Sequence, residues 1–134
     1  MPAGEMHLGK LLAGMQPSLE PGAYVFATLP DAPKEVVGAA VMMFREDEGV
    51  TFILPRDEAE RLGVPAIFPC RMITLRIHSA LEAVGFLSAI AAQLTEHGIG
   101  LNPVSAYHHD HLFIAEDQAE HAMAVLRQLA DASR

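Results

Sequence analysis

The chain has no tryptophan, two tyrosines and six phenylalanines among its 134 residues. So few aromatic rings leave no platform of the kind on which single-stranded nucleic acid stacks. Basic residues are also scarce. Nine Lys and Arg stand against 17 Asp and Glu, for a formal net charge of -8. Nucleic acid and anionic membrane are bound mainly by clustered Lys and Arg, so neither is an expected partner. The one cysteine, Cys70, excludes an internal disulfide framework. Long apolar runs are missing too: the uncharged stretch 83–95 falls well short of the ~20 residues that cross a bilayer. Met1–Lys10 carries Glu5 and His7 and lacks the basic-then-apolar order of a secretory signal. A cytoplasmic protein is expected.

What is present is a core. Hydrophobic residues make up 51% and charged residues 19%, enough for one domain or two small lobes sharing a core. Residues 8–15 suggest a short helix, closed at Gln16-Pro17. Residues 24–29 suggest a strand ended by Pro30. The apolar run 36–44, with three valines and Gly38, predicts a buried strand, and 50–54 its hairpin partner. Residues 57–62 form a predicted helix with Gly63 just past its end. A strand follows over 70–77. The stripe Val84, Phe86, Leu87, Ile90, Ala91 and Leu94 predicts an amphipathic helix over 81–97. Residues 104–107 and 111–114 read as a second hairpin, and 117–130 as a last helix.

The segment 51–60 echoes 111–120, sixty residues on. Asp57, Ala59 and Glu60 recur as Asp117, Ala119 and Glu120, and three further positions are apolar in both. Each copy reads strand, Asp-x-x-Glu, helix, and the acidic pair is expected to cap the helix as a capping box does. Two halves of about sixty residues, 1–65 and 66–134, sharing strands across a pseudo-twofold, follow from the echo. The second half reads β-α-β-β-α, the βαββαβ pattern of ferredoxin-like domains without its last strand. The expected class is α+β, with sheets carrying helices on one face.

Several stretches resemble the ACT domain, the small-molecule-sensing module of aspartate kinase. They are 73–79 with its following helix, and Gly98-Ile99-Gly100-Leu101-Asn102-Pro103-Val104. Residues 24–30, 48–55, 78–86 and 104–113 look like stand-alone bacterial proteins built of two ACT-like halves. The resemblance spans about residues 22–130. It implies a homodimeric regulatory protein that binds an amino acid or similar small carboxylate, with no catalytic domain and no cofactor. The alternative is an interaction module that dimerises without a small ligand.

Ser79 and Glu82 have capping-box spacing, so a helix is expected to begin near Ala80 and offer its free N–H groups to a carboxylate. Carried over from the resemblance, His78, Ser79, Leu81 and Val84 line the pocket, with Asn102 and Val104 on the neighbouring strand. Ala80-Leu81 stand where the family usually has a glycine. His109 and His111 are two apart on a strand, share a face and lie beside Asp110, which makes metal binding a more distant alternative. G-x-S-x-G, P-loop and H-E-x-x-H motifs are absent, and Cys70 suits a buried strand position better than a nucleophile. No catalytic residue is expected.

Overall fold

The computed structural model describes residues 4–5 and 7–134. The chain forms two compact units, one made of Met1–Glu20 with Met72–Arg134 and the other of Pro21–Arg71. The expected halves, 1–65 and 66–134, allowed for shared strands. In the compact units the first twenty residues belong with the C-terminal part.

The unit 21–71 runs β2 (Tyr24–Leu29), α2 (Lys34–Ala39), β3 (Met42–Glu46), β4 (Gly49–Pro55), α3 (Arg56–Leu62), then the first part of β5 (Ile67–Arg76). Its strand order is β5-β2-β4-β3, which is the complete ferredoxin-like βαββαβ arrangement. Val25, Ala27, Val50, Phe52 and Leu54 alternate onto the face covered by Val36 of α2 and Ala59 of α3.

The other unit contains α1 (Leu8–Gly14), β1 (Gln16–Leu19), the rest of β5, α4 (Phe86–Glu96), β6 (Asn102–Ser105), β7 (Asp110–Ala115) and α5 (Ala119–Ala132). Its order is β1-β5-β7-β6. The strand missing from the second half is thus β1, which pairs antiparallel with β5, Gln16 opposite Arg76 and Leu19 opposite Ile73. This is the same fold closed by a strand from the far end of the chain. Pro17 and Pro103 sit in β1 and β6, the outer strands of this unit, where a missing N–H costs no ladder bond. Ile73, Leu75, Leu112 and Ile114 face a helical layer of Leu11, Phe86, Ile90, Leu94, Met123 and Leu126. The 60-residue echo marks equivalent places: β4 leads into α3 as β7 leads into α5.

Three local expectations are corrected. Residues 34–39 are helical and only 42–46 form the strand, because the short helix needs one buried anchor, Val36, from the apolar run. The Asp-x-x-Glu pairs are not capping boxes. Helix α3 starts one residue before Asp57 with no side-chain cap, and Asp117 lies in a 3-10 turn, Glu116–Gln118, ahead of α5. Helix α4 begins at Phe86, not near Ala80.

Candidate functional site

The late start of α4 defines the site. Residues 77–85 form a loop between β5 and α4, and the Ser79 hydroxyl caps no helix. It donates instead to Asp110 Oδ2 at 3.3 Å, on the first residue of β7. The loop is strapped from the N-terminal side. Glu5 N donates to His78 O at 2.7 Å, and Ala80 N donates to Glu5 O at 2.8 Å. Gly4 packs so close to this loop that a Cβ there would lie 2.7 Å from His78 O. Its φ of +102° is likewise one that glycine tolerates.

Helix α4 has Gly85 at its N-cap, in the left-handed region, with no side chain to cap the first turn. The first helical bond is Ala89 N to Gly85 O, at 2.9 Å. The N–H groups of Phe86, Leu87 and Ser88 therefore have no carbonyl one turn back within the helix. Phe86, Leu87 and Ser88 line a cleft of about 160 Å³ together with Ser79, Ala80, Leu81, Ser105 and Asp110. Asp110 is 7% exposed and forms no ion pair among the described residues. The cleft thus joins a positive helix end to a buried carboxylate, a pairing suited to a ligand carrying both charges.

Of the six expected site residues, Ser79 and Leu81 line this cleft. His78, Val84, Asn102 and Val104 do not. Leu81 and Val84 are 67% and 84% exposed, so neither is an enclosing wall. Asn102 lies opposite Phe113 and Val104 opposite His111, while Pro103 and Ser105 oppose Leu112 and Asp110. Leu112 faces the helices, so Ser105 and Asp110 share its side and Asn102 and Val104 take the other. The Asn102 amide donates to Phe113 O at 3.4 Å. Leu112, Phe113 and Ile114 are all apolar, so the sequence hides this parity; it is the core placement of Leu112 and Ile114 that puts Asp110 on the cleft side.

The histidines beyond the cleft make separate contacts. His78 and His108 rings lie 5.4 Å apart, and among the described residues the buried His78 Nε2 has no hydrogen-bond partner. His109 Nδ1 lies 3.4 Å from Ile77 O, and His111 Nδ1 lies 3.0 Å from Thr74 Oγ1. Burial holds the His111 imidazole below its ordinary range, and the neighbouring His109 adds to the effect. Among the described residues no three His, Cys, Asp or Glu side chains converge as metal ligands. The hairpin metal site is therefore set aside.

The fold and this cleft place the chain in a class of small α+β modules of ferredoxin-like topology. Two ACT-domain family models match it, over residues 3–71 and 67–128, and the chain belongs to the ACT domain family. Domains of this family are typically regulatory and ligand-binding rather than catalytic. A protein of unknown function from Vibrio cholerae, described as a possible transport protein, is 38% identical with a TM-score of 0.82. The match covers 92% of this chain and 95% of that one. An Agrobacterium tumefaciens protein shares the fold at 20% identity, TM-score 0.73, covering 87% and 89%. The ligand-free regulatory subunit of aspartate kinase from Thermus thermophilus does so at 13% identity, TM-score 0.61, covering 84% and 95%. No curated protein matches the chain. Among the described residues no helix is long and apolar enough to cross a membrane.

Proposed function

We propose that the chain is a non-catalytic regulatory module that binds a small amino acid in the Ser79–Asp110 cleft. One observation carries this reading: Asp110, buried and with no ion pair among the described residues, shares a cleft of about 160 Å³ with the first turn of α4, which has no side-chain cap. An ammonium group would satisfy Asp110, and a carboxylate would take the N–H groups of Phe86 to Ser88. The helix dipole contributes about 0.3–1 kcal/mol to such an anion, so most of the affinity must come from the ammonium pair and the walls. Ser88 and Ser105 supply further hydroxyls, and Ala80, Ala83 and Phe86 supply apolar surface. The small volume favours a short side chain.

Two halves, residues 1–65 and 66–134, with β1 lent by the first to the second, complete the reading, as does a homodimer. The cytoplasm suits its lone thiol, Cys70, which is buried. The test is a thermal-shift screen of the twenty amino acids, since a ligand that binds only the folded state raises its stability by mass action. Stabilisation by one or a few small amino acids, abolished in Asp110→Asn, is the expected result. No shift with any of them at millimolar concentration removes the reading.

A further inference from the structure

In the unit 21–71 the sheet face turned away from α2 and α3 is apolar; Ile53 at its centre is 1% exposed, and the open surface lies around it, at Phe44 and Ile67. In β2, Val25, Ala27 and Leu29 turn toward α2 and α3, so Tyr24, Phe26 and Thr28 turn away. Register extends that outer face across the strands, because directly opposed residues share a face. Thr28 opposes Thr51, and Thr51 opposes Phe44. Phe26 opposes Ile53, which opposes Met42, and on its other side Phe26 pairs with Ile67.

This face holds a hollow and a projection side by side. The hollow is a groove of about 450 Å³ lined by Phe26, Thr28, Thr51, Pro65, Ala66 and Ile67. A register shift between Tyr24 and Phe26 against β5 helps shape it, and Phe68 there holds φ +59°, a costly backbone for an aromatic residue. The Phe68 ring meets Phe26 edge-on at 5.8 Å. The projection is Phe44, 64% exposed, in the same row as Thr51 and Thr28, while Ile67 at the groove is 73% exposed. Of the residues that register places on this face only Glu46 is charged, and its carboxylate accepts the Thr51 hydroxyl.

We propose that a second copy of this chain docks on this face, each copy's Phe44 entering the other's Phe26–Ile67 groove. Projection and hollow on one face are complementary to themselves under a two-fold axis, as an isologous dimer requires. A small apolar ligand would fill the groove and leave Phe44 in water, whereas a second copy covers both. With a single carboxylate on the face, the two-fold brings little like charge together. Face-to-face packing of two such sheets, about 10 Å apart, is a common way to bury an apolar sheet surface.

The inference rests on the homodimer reading above, and the experiment separates the two. Sedimentation of the full chain from nanomolar to high micromolar concentration gives the dimer dissociation constant. Phe44→Lys is expected to raise that constant roughly 30-fold or more, the loss of one central apolar anchor. Val37→Ser, on the exposed side of α2, should leave it unchanged. Should Phe44→Lys lose the wild-type circular dichroism, Ile67→Lys carries the same test. A monomer at every concentration overturns both the docking and the homodimer. A dimer indifferent to these substitutions overturns the docking face alone. A monomer that takes up an apolar dye, with uptake lost in Ile67→Lys, assigns the groove to a small ligand and overturns the proposal.

Discussion

At Asp110 a carboxylate lies nearly buried with one hydroxyl donor, Ser79, and no ion pair among the described residues. Such a group is costly unless something cationic or donating completes it. Asp110→Asn keeps the shape and removes the charge. It is expected to weaken amino-acid binding by at least tenfold in titration calorimetry, whereas Asn102→Ala, on the far face of β6, should leave affinity unchanged. Equal losses in both variants would place the ligand elsewhere. His111 gives a second prediction. Its folded-state pKa lies below the ordinary value of 6.5, first because of burial and then because of His109, against the opposite pull of Asp110 and Glu20. Above about pH 6.5 the ring is neutral folded or unfolded, and its contribution to stability is fully present. As pH falls below that value the unfolded chain takes up the proton more readily, so stability drops until the folded-state pKa is passed. Urea midpoints between pH 7.5 and 5 should fall more steeply for the wild type than for His111→Gln, and parallel profiles would contradict this.

Among the elements, those with a long apolar rhythm were legible and those set by distant partners were not. Helix α5 follows from its apolar stripe, and strands β4 and β7 from short apolar runs beside turns, supported by the 60-residue echo. The start of α4 did not. Ser79 and Glu82 have capping spacing, but the partner that claims the Ser79 hydroxyl lies 31 residues away on β7. No local pattern reports that. Strand β1 was missed because four residues containing Pro17 carry no strand signal of their own, and their ladder is made by β5. Val36 and Val37 suggested a strand because β-branched residues favour one, yet tertiary packing of Val36 holds six residues helical. Helix α4 buries Phe86, Ile90 and Leu94. Ile90, fully buried between α4 and the sheet, should cost about 2–5 kcal/mol as Ile90→Ala, read from chemical denaturation. A loss below 1 kcal/mol would mean that the core collapses around the gap.

For the whole molecule the consequential feature is that one ferredoxin-like unit is closed by the other end of the chain. Leu11 and Met15, both fully buried, belong to the core of the unit that otherwise begins at Met72. Beside them β1 pairs with β5 over Gln16–Leu19. A chain starting at residue 21 would lose the outer strand of that sheet and two of its core side chains, and leave the β5 edge unpaired. Removing one such side chain costs about 2–5 kcal/mol, and a small domain holds about 5–15 kcal/mol in all, so losing both with a strand should unfold the unit. The unit 21–71 contains its own complete βαββαβ set and keeps every strand it pairs with. Amide exchange should therefore show α4, β7 and α5 losing protection in the shortened chain, while β2 and β4 retain theirs. The Gly4–Glu5 strap on residues 78–80 would be lost at the same time, so amino-acid stabilisation should vanish with it. Full protection of α5 in the shortened chain would show that β1 and α1 decorate that unit rather than complete it.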